Sequence, residues 1–222
     1  MEQKTKKTAA ILYAVLAAVF YAVNMPMSKL LLQKIEPTFM ASFLYLGAGI
    51  GIGLIWLLGK KRRKQEQKLS KQDLPYTVGM IVLDIAAPIL LMIGLTSATS
   101  ANASLLNNFE IAATSLIALF VFKEVISPRL WAAIVLITVA SMLLSFEDLS
   151  GFRFSLGSLF ILAAAVCWGF ENNFTRKISS KSTYQIVLLK GIFSGLGSFS
   201  IALILKENMP IPLAQRNKDR KK

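Results

Sequence analysis

What most constrains this chain is the length of its apolar runs. A bilayer core about 30 Å thick is crossed by roughly 20 apolar residues at about 1.5 Å rise each. Seven runs of that kind follow one another, at about 9–32, 38–59, 75–97, 101–122, 129–146, 155–174 and 184–206. They leave too few residues for a sizeable water-soluble domain. Hydrocarbon offers the backbone no partners, so each run must satisfy its own amides as a helix. The expected fold class is therefore all-α, a polytopic helical membrane protein of about seven spans. The composition agrees: 55% of the 222 residues are hydrophobic, with a mean hydropathy of +0.57.

The opening "MEQKTKKTAAILYAVLAAVF" has the lysines and apolar core of a secretory signal. Its apolar run continues past Phe20 and further spans follow, so it reads as an uncleaved first span. The net charge of +13 would point to nucleic acid in a soluble protein. Here the placement of the charges matters more, because Lys and Arg gather in cytoplasmic loops. With the N-terminus inside, the inner segments carry Lys4, Lys6, Lys7, seven basic residues from Lys60 to Lys71, Lys123, Arg129, Arg176, Lys177 and Lys181. The outer loops before the seventh span carry only Lys29, Lys34 and Arg153. Fifteen against three favours a cytoplasmic N-terminus in a multi-pass protein of the cell membrane. The "KKRRK" cluster then anchors topology at anionic lipid, and no nucleic-acid partner is expected.

Several chemistries lack their motifs. Without histidine there is no zinc site of the usual kind, and the single Cys167 excludes an intramolecular disulfide. No G-x-x-x-x-G-K-[ST], H-E-x-x-H or G-x-S-x-G occurs. The chain is expected not to be an enzyme and to need no cofactor or metal.

An internal repeat organises the spans. "YAVNMPMSKLL" at 21–31 aligns with "WGFENNFTRKI" at 168–178, so Tyr21 meets Trp168, Asn24 meets Glu171, Ser28 meets Thr175 and Lys29 meets Arg176. In the following span Gly47, Gly51 and Gly53 meet Gly191, Gly195 and Gly197. The copies start at the first and sixth spans, and a unit of five spans makes the second copy enter from the opposite side. This is an inverted-topology repeat, an architecture associated with secondary transporters that bind solute near the midplane. The second copy is incomplete. The expected divisions are 1–8 as cytoplasmic N-terminus, 9–146 as the first repeat, 147–206 as a partial second repeat and 207–222 as a basic tail.

The stretches "GLTSATSANASLLNNFEIAATSLIALFVFKEVISPRLWAA" (94–133) and "LGSLFILAAAVCWGFENNFTRKIS" (156–179) resemble the EamA-like permeases of the drug/metabolite transporter superfamily. The first is similar to that family's small-residue segment, Leu-rich helix, mid-helix Glu (here Glu110) and Lys/Gly-Glu pair (here Lys123-Glu124). The resemblance covers nearly all of 9–206. It implies two five-span halves, ten spans in all, and transport of a small metabolite or drug-like solute. Two departures stand out. Ile111 occupies the place after the mid-helix Glu where the family commonly has proline, which removes the basis for a helix break there. The chain also ends after seven spans with Arg216, Lys218, Arg220, Lys221 and Lys222, a basic tail on the outer side by the count of spans. Loss of three spans is the expected explanation, and association with the missing spans or a homodimer the expected assembly.

A charge within hydrocarbon costs about 2.5–3.5 kcal/mol at a helix centre, so such residues face the bundle interior or water. Asp84, Glu110, Glu171 and Lys190 are the candidates. At about 100° per residue Trp168, Glu171 and Thr175 share a helix face, Asn172 sits on its shoulder and Asn173 points away. Tyr21, Asn24 and Ser28 share a face in the first copy. Two such stripes suit either a solute cavity or a helix contact made by hydrogen bonds. In span four Ser104, Asn107, Asn108, Thr114 and Ser115 fall in one broad sector with Glu110 on its shoulder. Asp84 precedes Pro88 by one turn, where the ring frees the Asp84 carbonyl, so it reads as a gate, an ion site or a local anchor. Lys190 reads as a buried partner of Glu171 or as a snorkelling chain. The glycines read as packing surfaces.

The expected function is a secondary carrier working by alternating access, with Glu171, Glu110, Asn24, Asn107, Asn108, Trp168, Tyr21 and Asp84 as candidate solute- or ion-binding residues. Protons or another ion would couple through the carboxylates. The competing expectation is a transport-incompetent part of such a carrier.

Overall fold

A computed structural model describes residues 2–58, 67–148 and 153–210. The long apolar runs form helices α1 (Glu2–Leu31), α2 (Pro37–Leu58) and α3 (Leu74–Ser97), the last entered through a tight turn over Lys71–Asp73. Span four is two helices, α4 (Ser100–Asn107) and α5 (Phe109–Phe120). There follow α6 (Pro128–Ser145), a short antiparallel ribbon of β1 (Phe146–Asp148) and β2 (Arg153–Phe154), and α7 (Leu156–Lys177). Span seven runs as α8 (Thr183–Leu189), a π turn over Lys190–Ser194, and α9 (Gly195–Ile204).

Five segments are long and apolar enough to cross a membrane: Ile11–Leu31, Pro37–Leu58, Lys71–Ser97, Ser100–Phe120 and Thr183–Ile204. The apolar part of α6, Pro128–Leu143, is shorter. α7 has 22 residues, but Glu171, Asn172, Asn173, Arg176 and Lys177 dilute its apolar character. Its polar residues therefore need partners within the protein.

α7 lies at the centre, antiparallel to α3 and flanked by α5. The α3–α7 contact is close at both ends. A Cβ built on Gly94 would stand 2.6 Å from the Gly157 carbonyl oxygen, and one on Gly79 would strike the Phe174 ring at 2.7 Å. Between these ends Leu91, Leu95, Ile161 and Ala164 pack with Met92, Ala103 and Leu106 into a buried core. Each large side chain buried there contributes about 1.5–3 kcal/mol relative to water exposure.

α2 packs antiparallel against span seven. Phe39 meets Phe199 edge-on with ring centroids 5.4 Å apart, Ser42 donates to the Gly195 carbonyl at 2.9 Å, and Gly53 faces Leu188. Where the helices cross, a Cβ on Gly191 would lie 2.3 Å from the Gly49 Cα, so only glycine fits. Among the described residues, Gly47 and Gly51 have nothing within 4 Å of a built Cβ. The glycine run thus divides: one face makes the crossing and the other is open.

Two carboxylates tie helix ends at opposite ends of the bundle. At one end the Glu207 carboxylate accepts from the Thr38 and Phe39 amides at 3.0–3.1 Å, capping α2 from the segment after α9. An anion there is favoured by the unsatisfied amides and the helix dipole. At the other end Glu124, just beyond α5, pairs with Arg176 in the last turn of α7, and Lys177 lies 5.1 Å over the Phe122 ring. In both places a lysine in the left-handed region precedes the glutamate: Lys123 at φ 60° and Lys206 at φ 57°.

Candidate functional site

α4 and α5 part at Asn108. Ile111 leaves no proline to break the helix, yet the Asn108 amide bonds back to Leu105 and Leu106, and the helix restarts at Phe109. This interruption splits the polar sector expected on span four. Asn107 is buried at 5% exposure and Thr114 is half-buried, while Ser104 and Asn108 are exposed. Asn108 donates to the Ser104 carbonyl and Ser115 to that of Ile111, so these groups are satisfied within their own helix.

The inward groups meet at a cavity of about 450 Å³ between the helices. α1 contributes Tyr21, Asn24 and Met25; α2 contributes Leu44, Tyr45 and Ala48; α3 contributes Asp84, Pro88, Leu91 and Met92. Asn107 and Glu110 enter from either side of the Asn108 break, Trp168, Glu171 and Asn172 from α7, and Lys190 from the start of the π turn. Of the candidates read from the sequence, all but Asn108 line it.

Two polar groupings occupy the walls. In the first, the Lys190 ammonium lies 2.7 Å from Glu171 Oε1 and 3.2 Å from Asp84 Oδ2. Glu171 and Asp84 are 2% and 1% exposed. Tyr45 donates to Asp84 Oδ1 at 2.9 Å, Trp168 Nε1 donates to the Tyr45 hydroxyl at 3.3 Å, and Thr175 donates to Glu171 one turn below. A lysine shared by two buried carboxylates and backed by hydroxyls lets otherwise costly charges persist there. In the second grouping, Asn172 donates to Glu110 Oε1 at 2.7 Å and to Thr114 at 3.2 Å, and Asn107 donates to the Tyr21 hydroxyl at 2.7 Å. The Asn107 side-chain oxygen is buried without a hydrogen-bond partner among the described residues.

Asn173 points away from the cavity, donating to the Thr114 and Gly169 carbonyls at 3.0 and 2.8 Å. Lys190 is the partner of Glu171. Two residues that the sequence did not single out for the site, Tyr45 and Asn172, carry hydrogen bonds in it. Asn172 was visible as a shoulder residue beside Glu171. Tyr45 carried no signal beyond being an aromatic with a hydroxyl in the glycine-rich span. The aligned copies also share a local feature: Ser28 donates to Asn24 at 3.2 Å as Thr175 donates to Glu171, each one turn apart.

Among the described residues no group of three His, Cys, Asp or Glu is placed to hold a metal ion. What the cavity offers is a half-open apolar and aromatic hollow with a few converging polar groups, the usual make-up of a small-molecule site.

These features define the class: a multi-pass helical membrane protein with a charged cavity between its spans. The chain belongs to the EamA-like transporter family, whose model matches residues 8–146. It is also similar to an uncharacterized transporter of Methanothermobacter thermautotrophicus (strain Delta H), 27% identical over 214 residues that cover 89% of this chain. The match spans 62% of that relative's length.

Proposed function

We propose that this protein is a secondary transporter that moves a small metabolite or drug-like solute across the cell membrane by alternating access, with its N-terminus in the cytoplasm. The observation that carries the reading is the convergence of side chains from six spans on one cavity that holds three carboxylates and a lysine inside a membrane protein. Packing alone would not need such charges, since small residues and single hydrogen bonds associate helices at far lower cost. The two glutamate ties at opposite ends of the bundle suit a carrier that opens one end while the other stays closed.

An inverted five-span repeat is supported by the packing of α2 on span seven. These helices would be equivalent in the two copies. They cross antiparallel, as a pseudo-two-fold axis in the membrane plane requires, with Gly49 against Gly191 at the crossing. Tyr21 with Asn24 and Trp168 with Glu171, matched in the alignment, line the same hollow. Coupling to protons or another ion would use the carboxylates, and assembly as a homodimer or with further spans belongs to the same proposal.

Uptake or efflux in vesicles tests the reading, with Glu171→Gln and Glu110→Gln beside the parent. Solute flux that falls at least tenfold in either variant at equal membrane abundance supports it. Undiminished flux in both removes the assignment of the cavity. The competing view, that these spans are a transport-incompetent part of a carrier, predicts no flux by the chain alone and recovery when three further spans are co-expressed.

A further inference from the structure

We propose that the solute of this cavity is a monovalent organic cation, an amine on an apolar or aromatic body, whose ammonium group is met by Glu110. The inference rests on the reading of the cavity as the carrier's solute site.

Its first support is the charge count. Three carboxylates line the cavity, those of Asp84, Glu110 and Glu171, against the single ammonium of Lys190, so acidic groups outnumber basic ones there. Low-dielectric walls focus such a field and concentrate counter-ions of opposite sign.

The placement of the compensation narrows the site further. Lys190 is taken up by Asp84 and Glu171. Glu110 receives only the neutral amide of Asn172 in a hydrogen bond and has no ion pair among the described residues. The Asn107 side-chain oxygen is closed off within the packed wall, and its amide donates to Tyr21. The open hydrogen-bonding capacity on this side is therefore that of the Glu110 carboxylate, an acceptor that lacks a cation among the described residues.

The remaining wall favours an organic cation over a bare metal ion. Tyr21, Tyr45 and Trp168 line the hollow, and aromatic faces attract alkylammonium groups. The carboxylates are not grouped to ligate a metal among the described residues. The volume of about 450 Å³ admits a body of one or two rings.

The test is equilibrium binding to the purified full chain in lipid nanodiscs. Three probes of one shape are used: 2-phenylethylammonium, neutral 2-phenylethanol and the anion 3-phenylpropionate. The expected result is roughly tenfold to a hundredfold tighter binding of the cation, the range set by hydrogen bonds to a charged group. Glu110→Gln should bring the cation down to the neutral probe. The probe comparison in the parent chain needs no variant, so it decides even if Glu110→Gln fails to fold. Tighter binding of the neutral or anionic probe overturns the solute class but leaves the cavity a solute site. Cation preference that survives in folded Glu110→Gln overturns the assignment to Glu110. Failure of all three probes, together with absent flux in vesicles, overturns the carrier reading itself.

Discussion

Lys190→Met isolates the cost of the buried charges. The methionine fills much of the lysine's apolar stem but leaves Glu171 and Asp84, 2% and 1% exposed, facing each other without the ammonium that stood 2.7 and 3.2 Å from them. Removing one member of a buried ion pair typically costs about 3–5 kcal/mol. Two facts temper that figure: the Lys190 side chain retains 23% exposure, and Asp84 keeps the Tyr45 hydroxyl. A destabilisation of about 3 kcal/mol is expected. Adding Glu171→Gln removes one of the two orphaned charges but leaves that of Asp84, which keeps the Tyr45 hydroxyl, so the double variant should recover about half of the loss, roughly 1–2 kcal/mol. The assay is a double-mutant cycle on denaturant unfolding in detergent, with helical content as the signal. Additive effects of the two substitutions, or a loss below 0.5 kcal/mol for Lys190→Met (estimated on the same scale), would refute the coupling.

Further outcomes follow from the packing. Gly191→Leu drives a side chain into the Gly49 backbone and should cost at least 1–3 kcal/mol, roughly, in unfolding experiments, whereas Gly51→Leu, with open space around it, should cost well under that. Glu207→Gln weakens the cap on Thr38 and Phe39 by about 1 kcal/mol, and cysteine pairs reporting the distance between α2 and the segment after α9 should show that end loosening. Lys206→Gly relieves a left-handed backbone at φ 57° and should raise the unfolding midpoint by the equivalent of about 1 kcal/mol. Asn173→Leu removes the bonds to the Thr114 and Gly169 carbonyls, which keep their helical partners in α5 and α7, and should lower stability by about 1 kcal/mol while leaving the affinity for cationic probes unchanged.

Much of the helix layout was legible because run length and backbone satisfaction leave hydrocarbon segments almost no alternative; the expected limits fall within a few residues of those of α2, α3 and α7. The site was legible where helical spacing decides it: Trp168 and Glu171 face the cavity and Asn173 does not. It was illegible where the backbone departs from a regular helix. The break at Asn108 has no proline to announce it, and Asn108 lies exposed beside buried Asn107. The tie from Glu207 to α2 joins residues far apart in sequence, and no local pattern encodes such a contact. Tyr45 reaches Asp84 only because α2 and α3 lie side by side.

The wide turn at Lys190–Ser194 has one more consequence. A helix wound this way holds a surplus residue, and surplus can be moved along a rod without pulling on its ends. Passing the bulge toward Thr183 and beyond Lys190 would bring that residue into the register of α9 and swing its ammonium roughly 100° about the axis, away from Glu171, while Ile204 stayed in place. Excising one residue from the bulge removes that slack. Span seven then becomes a fixed spoke, and its charge has a single orientation.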